Sequence, residues 1–423
     1  MIHITTRSAR LTINAEGGAA WYIYDDNGVN LLRSVRVISG SYSRPASVSA
    51  FDTLYASAPA AFEVTRYTYY PNNAYGKKGL VHTVTGPMGD NFNYIEYTYY
   101  HFGGVHQETK WVNGIAYTTV YEYDSLRRLI KSTDPDGVEV VHDFDNSGNL
   151  IRTTVTGSQG VSVTRMLYDA LGRIVREIGP DEYNSAFDSN SGYSDISAGT
   201  RYSYNAQGLL ASKTDPENNA TMFEYDDYGN ITKETTANSS YTRMTYDRIN
   251  RPVQEYFMDH TKAAGETLIK QIDYSRSGKN SVVTITEYPG NGRKPVVTVG
   301  KYDFAERLTE NIAPDGIVTT KAYDKNGALK SVQTSTGGKT TNTLDKWARV
   351  TSETTRFDNT GDAVTTYWYD KNGKPVQSSV KNNRSGQNAS NWVTEYRNDP
   401  WGNVIAVISK NGSSNANYII SKY

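Results

Sequence analysis

The sequence predicts an all-β protein made of tandem β-hairpins, and three observations lead to this prediction. First, a short pattern recurs twelve times between residues 123 and 396: an aromatic residue, an Asp, two or three variable residues, a Gly, and a basic or polar residue. Second, successive copies begin 21 residues apart five times within the 423 residues. Third, the strands between the turns alternate apolar and polar residues. A fixed period in this range indicates a stacked-repeat architecture.

The clearest copies of the pattern span residues 168–173, 225–230, 323–328 and 369–374. Looser copies begin at Tyr123, Phe144, Tyr204, Tyr246, Tyr274, Tyr302, Leu344 and Tyr396. The clear copies are predicted to supply the structural residues of a repeated turn, namely Tyr168, Asp169, Gly172, Arg173, Tyr225, Asp226, Gly229, Tyr323, Asp324, Gly327, Tyr369, Asp370 and Gly373.

Each repeat of 21 residues accounts for two turns and two strands. In the first turn, the Asp side chain accepts a hydrogen bond from the backbone two residues on, and the Gly adopts a positive φ. The next strand begins with an aliphatic residue six positions after the first residue of the repeat, such as Ile174. The second turn often contains Pro, as at residues 134–137 and 313–316. Two four-residue turns leave about 13 residues, which form two strands of ordinary length.

The strand that leads back to each turn alternates in polarity. Phe223 lies two residues before the first position of its repeat, and Glu224 lies between. Such alternation predicts one buried face and one wetter face. Each hairpin is too small to be stable alone, so we expect neighbouring hairpins to cover one another.

The chain divides by regularity into two parts. Residues 1–61 are predicted to be an irregular N-terminal β segment, in which the Ser/Ala-rich stretch 39–61 covers a sheet edge or forms a loose connection. Residues 62–423 are predicted to be the repeat array, because the period continues without a break. The last residue, Tyr423, stands where the next repeat would begin, so we expect the array to be truncated at its C-terminus.

The repeated residues resemble the RHS/YD-repeat family, whose hallmark Tyr-Asp-x-x-Gly-Arg is clearest at residues 168–173. The family includes bacterial Rhs polymorphic toxins, the B and C subunits of Tc toxins, and the extracellular teneurins. The resemblance implies a spiralling antiparallel sheet that forms a section of a hollow β-cocoon. In the toxin members, such a shell encloses a C-terminal toxin domain for delivery. The implied partners are therefore the remainder of the chain's own shell and an enclosed toxin domain.

The amino-acid composition argues against several classes of function. Basic and acidic residues number 44 and 45, so no basic stripe for nucleic acid is indicated. The sequence contains no apolar run of membrane-spanning length, no cysteine and no apolar signal core at its start. We expect a secreted or cell-surface protein, exported by a dedicated apparatus. No catalytic, cofactor-binding or metal-binding residues are predicted, and we expect the chain not to be an enzyme.

Two hypotheses of function remain open, with a weaker third. The first is a structural shell segment that encapsulates a toxin or effector and has no chemistry of its own. The second is an extracellular adhesion or carbohydrate-binding array, suggested by the density of Tyr and Trp in the sequence. The tryptophans that motivate it are Trp111, Trp347, Trp368, Trp392 and Trp401. A hydrolase carried by the repeats is the third, although no pair of acids stands out.

Overall fold

Turn residues at short intervals cut the chain into strands, and the computed structural model contains 33 of them in its described part. The described residues are 2–5, 9–13, 18–27, 29–40, 42–43, 45, 47–71, 76–87, 92–185, 198–263, 265–358, 361–371, 373–382, 391–399, 402–411 and 418–422. Tyr423 and Trp401 lie outside them. The prediction of an all-β chain of antiparallel hairpins is confirmed.

The first eleven strands are β1 Ile2–Thr5, β2 Ala9–Ile13, β3 Ala19–Tyr24, β4 Leu31–Val37, β5 Phe62–Tyr69, β6 Val81–Thr85, β7 Tyr94–Tyr99, β8 Val105–Val112, β9 Ile115–Tyr123, β10 Leu129–Thr133 and β11 Glu139–Phe144. The next eleven are β12 Leu150–Gly157, β13 Gly160–Tyr168, β14 Ile174–Ile178, β15 Thr200–Tyr204, β16 Leu210–Thr214, β17 Ala220–Tyr225, β18 Ile231–Thr235, β19 Tyr241–Tyr246, β20 Pro252–Met258, β21 Thr267–Ser277 and β22 Asn280–Glu287. The last eleven are β23 Val296–Tyr302, β24 Leu308–Ile312, β25 Val318–Tyr323, β26 Leu329–Thr334, β27 Lys339–Leu344, β28 Val350–Asp358, β29 Gly361–Tyr369, β30 Pro375–Asn382, β31 Asn391–Asn398, β32 Val404–Asn411 and β33 Tyr418–Lys422.

The chain forms two units. Unit 1 comprises Met1–Val120 and Ile317–Tyr423, and unit 2 comprises Tyr121–Gly316. Within each unit, strands that follow one another in sequence pair antiparallel, from β10 to β24 in unit 2 and from β25 to β33 in unit 1. The register commonly shifts by one residue where a strand enters the repeated turn, as between Leu167 and Tyr168. This bulge turns the first residue of the repeat toward its neighbour.

The N-terminal part of unit 1 contains a helix, α1 (Val48–Ser57), where the sequence indicated a sheet cover or a loose connection. Ser47 caps the helix, because its Oγ accepts a hydrogen bond from the Ala50 amide at 3.1 Å. A 3-10 turn, Pro59–Ala61, leads from the helix into β5. The helix buries Phe51 against Trp21 of β3 and Phe62 of β5.

This small core has no equal elsewhere in the described residues. It consists of Trp21, Ile23, Val35, Val37, Phe51, Ala61, Phe62 and Val64. In unit 2, a second and smaller cluster joins Leu167 and Ile178. The predicted alternation is visible in β17, where Met222 and Glu224 are exposed while Phe223 is half-buried. The apolar face is therefore only half-buried, so contacts between repeats matter for stability.

Candidate functional site

The repeated turn is built around one carboxylate. We term it the YD turn and count positions from the first residue of the repeat, so that Tyr168 is position 1, Asp169 position 2 and Arg173 position 6. Asp169 Oδ1 accepts hydrogen bonds from the amides of Leu171 (2.9 Å) and Arg173 (3.0 Å). Asp169 Oδ2 binds the guanidinium of Arg173, with Nε at 2.8 Å and Nη2 at 2.6 Å. One side chain thus satisfies two backbone donors and one charged side chain.

Position 5 of the turn has left-handed backbone geometry. The φ angles of Gly172, Gly229, Gly327 and Gly373 are +76°, +84°, +90° and +77°. Where another residue occupies this position, the same geometry is kept at a steric cost, as for Ala348 at +64°. The turn is therefore imposed by the carboxylate and by the strands on either side, and glycine only makes it easier to form.

A hydroxyl joins each repeat to the previous one. In six repeats, the Tyr at position 1 donates a hydrogen bond to the backbone carbonyl of position 7 in the preceding repeat, at 2.6 to 3.1 Å. The pairs are Tyr168 to Leu150, Tyr204 to Ile174, Tyr225 to Leu210, Tyr246 to Ile231, Tyr274 to Pro252 and Tyr369 to Val350. Position 7 opens the strand after the turn, so the bond fixes the spacing of consecutive hairpins.

A guanidinium makes the second link between repeats. The Arg at position 6 lies over the aromatic ring at position 1 of the next repeat, with 4.0 to 5.0 Å between the Arg Cζ and the ring centroid. The pairs are Arg128 over Phe144, Arg173 over Tyr204, Arg251 over Tyr274 and Arg349 over Tyr369. The turn carboxylate holds each guanidinium in place for this cation–π contact. The contact therefore joins each hairpin to the next one.

Replacing Tyr168 with Phe removes the hydrogen bond to the Leu150 carbonyl and keeps the aromatic ring. Burial raises the pKa of the Tyr168 hydroxyl, which keeps it protonated as a donor. Tyr168→Phe is expected to lower the free energy of unfolding by about 0.5–1.5 kcal/mol, the worth of one ordinary hydrogen bond. Urea unfolding followed by far-ultraviolet circular dichroism measures the change. Tyr228→Phe is the control, because that ring is 81% exposed; an equal loss in both variants would contradict the link.

The repeat at 323–328 lacks two parts of the arrangement and shows how they are replaced. Ala328 stands at position 6, and the buried Asp324 Oδ2 accordingly has no hydrogen-bond partner. The next repeat begins with Leu344, which has no hydroxyl. The carbonyl of Leu329 accepts instead from Asn342 Nδ2, at 3.1 Å. The side-chain amide of Asn342, two residues before Leu344, thus replaces the Tyr hydroxyl as the hydrogen-bond donor.

Supplying the missing donor should stabilise this turn. Asn at position 6 donates to the carboxylate in other repeats, as Asn230 does to Asp226 Oδ2 at 2.9 Å. Ala328→Asn is expected to raise the free energy of unfolding by about 0.5–1.5 kcal/mol, because it pairs a buried acceptor. Ala328→Leu adds volume without a donor and serves as the control in the same urea titration. A gain for Leu as large as that for Asn would rule out the hydrogen bond as its cause.

The turn carboxylates make the stability of the folded protein depend on pH in the acidic range. Backbone hydrogen bonds from Arg173, followed by its guanidinium, hold the pKa of Asp169 below its ordinary value of 3.8. Similar hydrogen bonds lower the pKa of Asp124, Asp145, Asp226, Asp247 and Asp303. A lowered pKa in the folded state means that the carboxylate stabilises the protein above pH about 4. This stability is lost as the pH falls through the folded-state values.

These carboxylates stay ionised between pH 5 and 8, so we expect their contribution to the melting temperature to be nearly constant in that range. Below pH about 4 they become protonated, and we expect the melting temperature to fall steeply. Asp169→Asn should lose part of the acid sensitivity while keeping the turn. Asn205 supports this choice, because its Oδ1 accepts from the amides of Gln207 (3.0 Å) and Leu209 (2.9 Å) in the Asp position. Calorimetry at a series of pH values tests the prediction, and an unchanged acid slope in the variant would contradict it.

Two of the looser copies are corrected by the structure. Tyr274 makes both links of a position 1 residue, but Ser275 replaces the Asp and β21 continues to a tight turn between Ser277 and Asn280. The copy assigned to Tyr396 begins instead at Asn398, because Asp399 opens the turn. Asn398 Nδ2 donates to the Pro375 carbonyl at 3.1 Å, as the Tyr hydroxyl does elsewhere.

One further copy was missed in the sequence. The amide of Tyr100 donates to the Gly104 carbonyl at 2.9 Å, and that of Gly103 donates to the Tyr100 carbonyl at 3.0 Å, as in a YD turn. Tyr100 stands in the Asp position, so the aromatic–Asp signal is absent. The retained glycine, Gly103 with φ +91°, was the signal that could have revealed it.

Unit 1 contains a contact between distant parts of the chain. Trp347, at position 4 of its turn, donates from Nε1 to the Val37 carbonyl at 3.2 Å, across 310 residues of sequence. The guanidinium of Arg36 lies over the Trp347 ring at 4.4 Å. Glu63 is 3% exposed and pairs with Arg36 Nη1 at 2.9 Å and Arg349 Nη1 at 3.0 Å. Arg36, Val37 and Glu63 surround the tip of this turn. We term these three residues the socket.

The described part of the chain contains no helix with the length and apolar character needed to cross a bilayer. It also contains no group of three His, Asp or Glu side chains placed to hold a metal ion. Trp111 Nε1 donates to Glu96 Oε2 at 3.1 Å, whereas Trp368 and Trp392 are 44% and 49% exposed.

The fold of the chain is similar to that of the crystal structures of TcdB2-TccC3 and TcdB2-TccC3-Cdc42. The chain matches TcdB2-TccC3-Cdc42 with a TM-score of 0.63 and 14% identity, and TcdB2-TccC3 with a TM-score of 0.62 and 12% identity. These matches cover 100% of this chain and 24% and 26% of the matched chains, so the chain spans about a quarter of their length. A search of curated proteins gave no match.

A family model agrees with the fold. The model described as teneurin YD-shell matches residues 29–254 and 181–299, which together cover more than half of the 423 residues. The match includes the YD turns between Tyr123 and Pro252 and the tyrosines that link them, and it ends before the turn at residues 302–308. The resemblance to RHS/YD-repeat proteins is thereby confirmed, and this chain belongs to the teneurin YD-shell family.

Proposed function

We propose that this chain is a wall segment of an RHS/YD-repeat shell that encloses a C-terminal toxin or effector domain for delivery, with no chemistry of its own. The links between repeats carry the proposal. Each Tyr hydroxyl and Arg side chain at the turns fixes one hairpin to the next, as Tyr168 does to Leu150 and Arg173 to Tyr204. Polar groups committed to neighbouring hairpins suit a wall better than an active site.

The family and the fold support a structural shell role. Because the chain spans about a quarter of the matched chains, we propose that the remainder of the shell and the enclosed domain are its partners. In this proposal residues 62–423 are the repeat array, and residues 1–61 pack on it where Arg36 and Val37 contact Trp347. We further propose that the protein is secreted or displayed at the cell surface by a dedicated apparatus.

Electron microscopy of the full-length gene product tests the proposal. We expect a hollow particle, with an enclosed domain that resists protease until the particle is opened by denaturant. A compact solid particle, or an enclosed domain cleaved as fast as an unfolded chain, would contradict it.

The rival hypothesis is an adhesion or carbohydrate-binding array, and the comparisons do not favour it. One observation still supports adhesion, namely that the side chains of Trp368 and Trp392 are exposed. A glycan array decides between the two. Binding that disappears in Trp368→Ala and Trp392→Ala would favour adhesion over the shell.

A further inference from the structure

Asparagine is followed by glycine at six places in the sequence. The pairs begin at Asn27, Asn113, Asn291, Asn326, Asn372 and Asn411. In such a pair, the glycine amide nitrogen can attack the asparagine side-chain carbonyl, because glycine has no side chain to obstruct the ring that forms. A hydrogen bond from that nitrogen opposes the attack. Gly28 and Gly412 lie outside the described residues, so the hydrogen bonds of the other four pairs can be compared.

Three of these glycine amides donate a hydrogen bond to a backbone carbonyl. Those of Gly327 and Gly373 donate to the carbonyl at position 2 of their YD turns, at 3.1 and 3.0 Å. That of Gly114 donates to the Phe92 carbonyl at 3.2 Å. In these pairs the nitrogen is exposed to reaction only when the turn opens locally. The YD turn therefore protects the Asn-Gly pairs that it contains.

The pair at Asn291 lies in the connection between β22 and β23 and is held differently. Gly290, Asn291 and Gly292 have φ angles of +70°, +53° and +71°. The hydrogen bond that closes this turn runs from the Arg293 amide to the Gly290 carbonyl at 3.0 Å, so it bypasses Gly292. Among the hydrogen bonds of the described residues, none is donated by the Gly292 amide. Its nitrogen can therefore react without the loss of a hydrogen bond.

This turn is also open to solvent. Asn291, Gly292, Arg293 and Lys294 are all exposed. A Cβ built on Gly292 would meet nothing within 4 Å. The turn thus has room for a ring between the Asn291 side chain and the Gly292 nitrogen, and for the water that would open this ring.

Charge favours reaction at the same pair. The attacking nitrogen must lose its proton, so neighbouring cations assist the attack and neighbouring carboxylates oppose it. Arg293 and Lys294 directly follow Gly292 in the chain. In the YD turn at residues 323–328, by contrast, the Asp324 carboxylate accepts a hydrogen bond from the Asn326 amide at 2.9 Å. That turn places a negative charge beside its Asn-Gly pair.

We propose that Asn291 is a modification site, at which the folded chain deamidates spontaneously. Hydroxide removes the proton of the Gly292 amide, and the nitrogen bonds to Asn291 Cγ. The Cγ–Nδ2 bond breaks, and ammonia leaves with a proton taken from water, which restores the hydroxide. Water then opens the cyclic imide at the backbone carbonyl carbon to give isoaspartate, or at Cγ to give aspartate.

The reaction consumes water and needs no oxidant, cofactor or second protein. Each product carries a new carboxylate beside Arg293 and Lys294, and isoaspartate also lengthens the backbone of the turn by one carbon. The ladder between β22 and β23 ends at the pair Glu287 and Val296, so the longer backbone falls in the connection and leaves the sheet unchanged. Because ammonia is lost, the conversion runs in one direction and marks the age of the protein.

Incubation of the folded chain in mildly alkaline buffer, followed by peptide mapping in acid, tests the site. Mass spectrometry detects the exchange of an amide for an acid, and electron-transfer fragmentation distinguishes isoaspartate from aspartate. We expect conversion at Asn291 to be roughly tenfold faster than at Asn113 or Asn326, a factor that corresponds to about 1.4 kcal/mol. One ordinary hydrogen bond has this strength. Equal rates at the three sites would overturn the proposal.

Two comparisons separate the effect of the turn from that of the local sequence. In urea, where every turn is open, the rates at Asn113 and Asn326 should rise to that at Asn291. If Asn326 stays slow in the unfolded chain, the YD turn is not what protects it, and the proposal is overturned. In the folded chain, Arg293→Gln with Lys294→Gln should slow conversion at Asn291 severalfold, and an unchanged rate would overturn the part assigned to the two cations.

Discussion

Glu63→Ala is expected to lower the free energy of unfolding of unit 1 by about 3–5 kcal/mol, because it leaves two guanidinium groups beside an empty buried site. Glu63 is 3% exposed and accepts from Arg36 and Arg349. The contact joins residues 286 positions apart, so its loss also releases the N-terminal strands from the turn at Trp347.

Tryptophan fluorescence measures the effect selectively. Residues 121–316, which form unit 2, contain no tryptophan, and the buried Trp21 lies in unit 1, so tryptophan emission during urea unfolding reports on unit 1. Glu395→Ala, also in unit 1, is the matched control. It removes a carboxylate that pairs with Lys410 at 2.7 Å but is 38% exposed, and such surface pairs contribute about 0–1 kcal/mol. Equal effects of the two changes would mean that the socket is not a buried ion pair.

Glu63→Gln should cost less than Glu63→Ala. Burial raises the pKa of Glu63 above its ordinary value of 4.5, and the nearby Arg36 and Arg349 only partly oppose this. A raised pKa means that the folded state favours the protonated acid. The stability linked to that proton is fully present below pH 4.5 and is lost as the pH rises through the folded-state value. The permanently neutral amide keeps the shape of the side chain and one acceptor oxygen and avoids this loss, although its Nε2 donor cannot replace the carboxylate oxygen that accepts from the second guanidinium.

Local chemistry made the turns predictable from the sequence. An Asp followed three residues later by Gly specifies a turn by itself, and the positions of Asp169 and Gly172 needed no knowledge of the rest of the chain. The prediction of the looser copies was wrong where the residues of the turn differ from this pattern. Ser275 allows the strand to continue, and Asn398 takes the place of an aromatic residue.

Features that depend on distant residues could not be predicted. The hydroxyl of Tyr168 finds the Leu150 carbonyl only through the pairing of the strands between them. The seat of Trp347 against Val37 requires parts of the chain that are 310 residues apart to meet. Helix α1 was missed because its sequence has no strong helical period, and its formation depends on burying Phe51 in a core built by strands. Tertiary packing decides such segments.

Gly172→Val is expected to lower the free energy of unfolding by about 1–3 kcal/mol, because a β-branched residue is strained at positive φ. The backbone at Gly172 has φ +76°, and a Cβ there would approach Asn149 Oδ1 at 3.4 Å. The strain acts on the turn that also holds Arg173 against Tyr204, so the loss should spread to the next hairpin. Hydrogen exchange should show faster opening in both β13–β14 and β15–β16.

Gly179→Val, in the same part of unit 2, is the matched control for this change. Its backbone lies outside the left-handed region, and an added Cβ would meet nothing within 4 Å. Circular dichroism during urea unfolding should therefore register a loss for Gly172→Val and little change for Gly179→Val. If the two variants unfold alike, backbone strain at the turn does not control the hairpin. If exchange quickens only in β13–β14, the arginine link does not carry order from one repeat to the next.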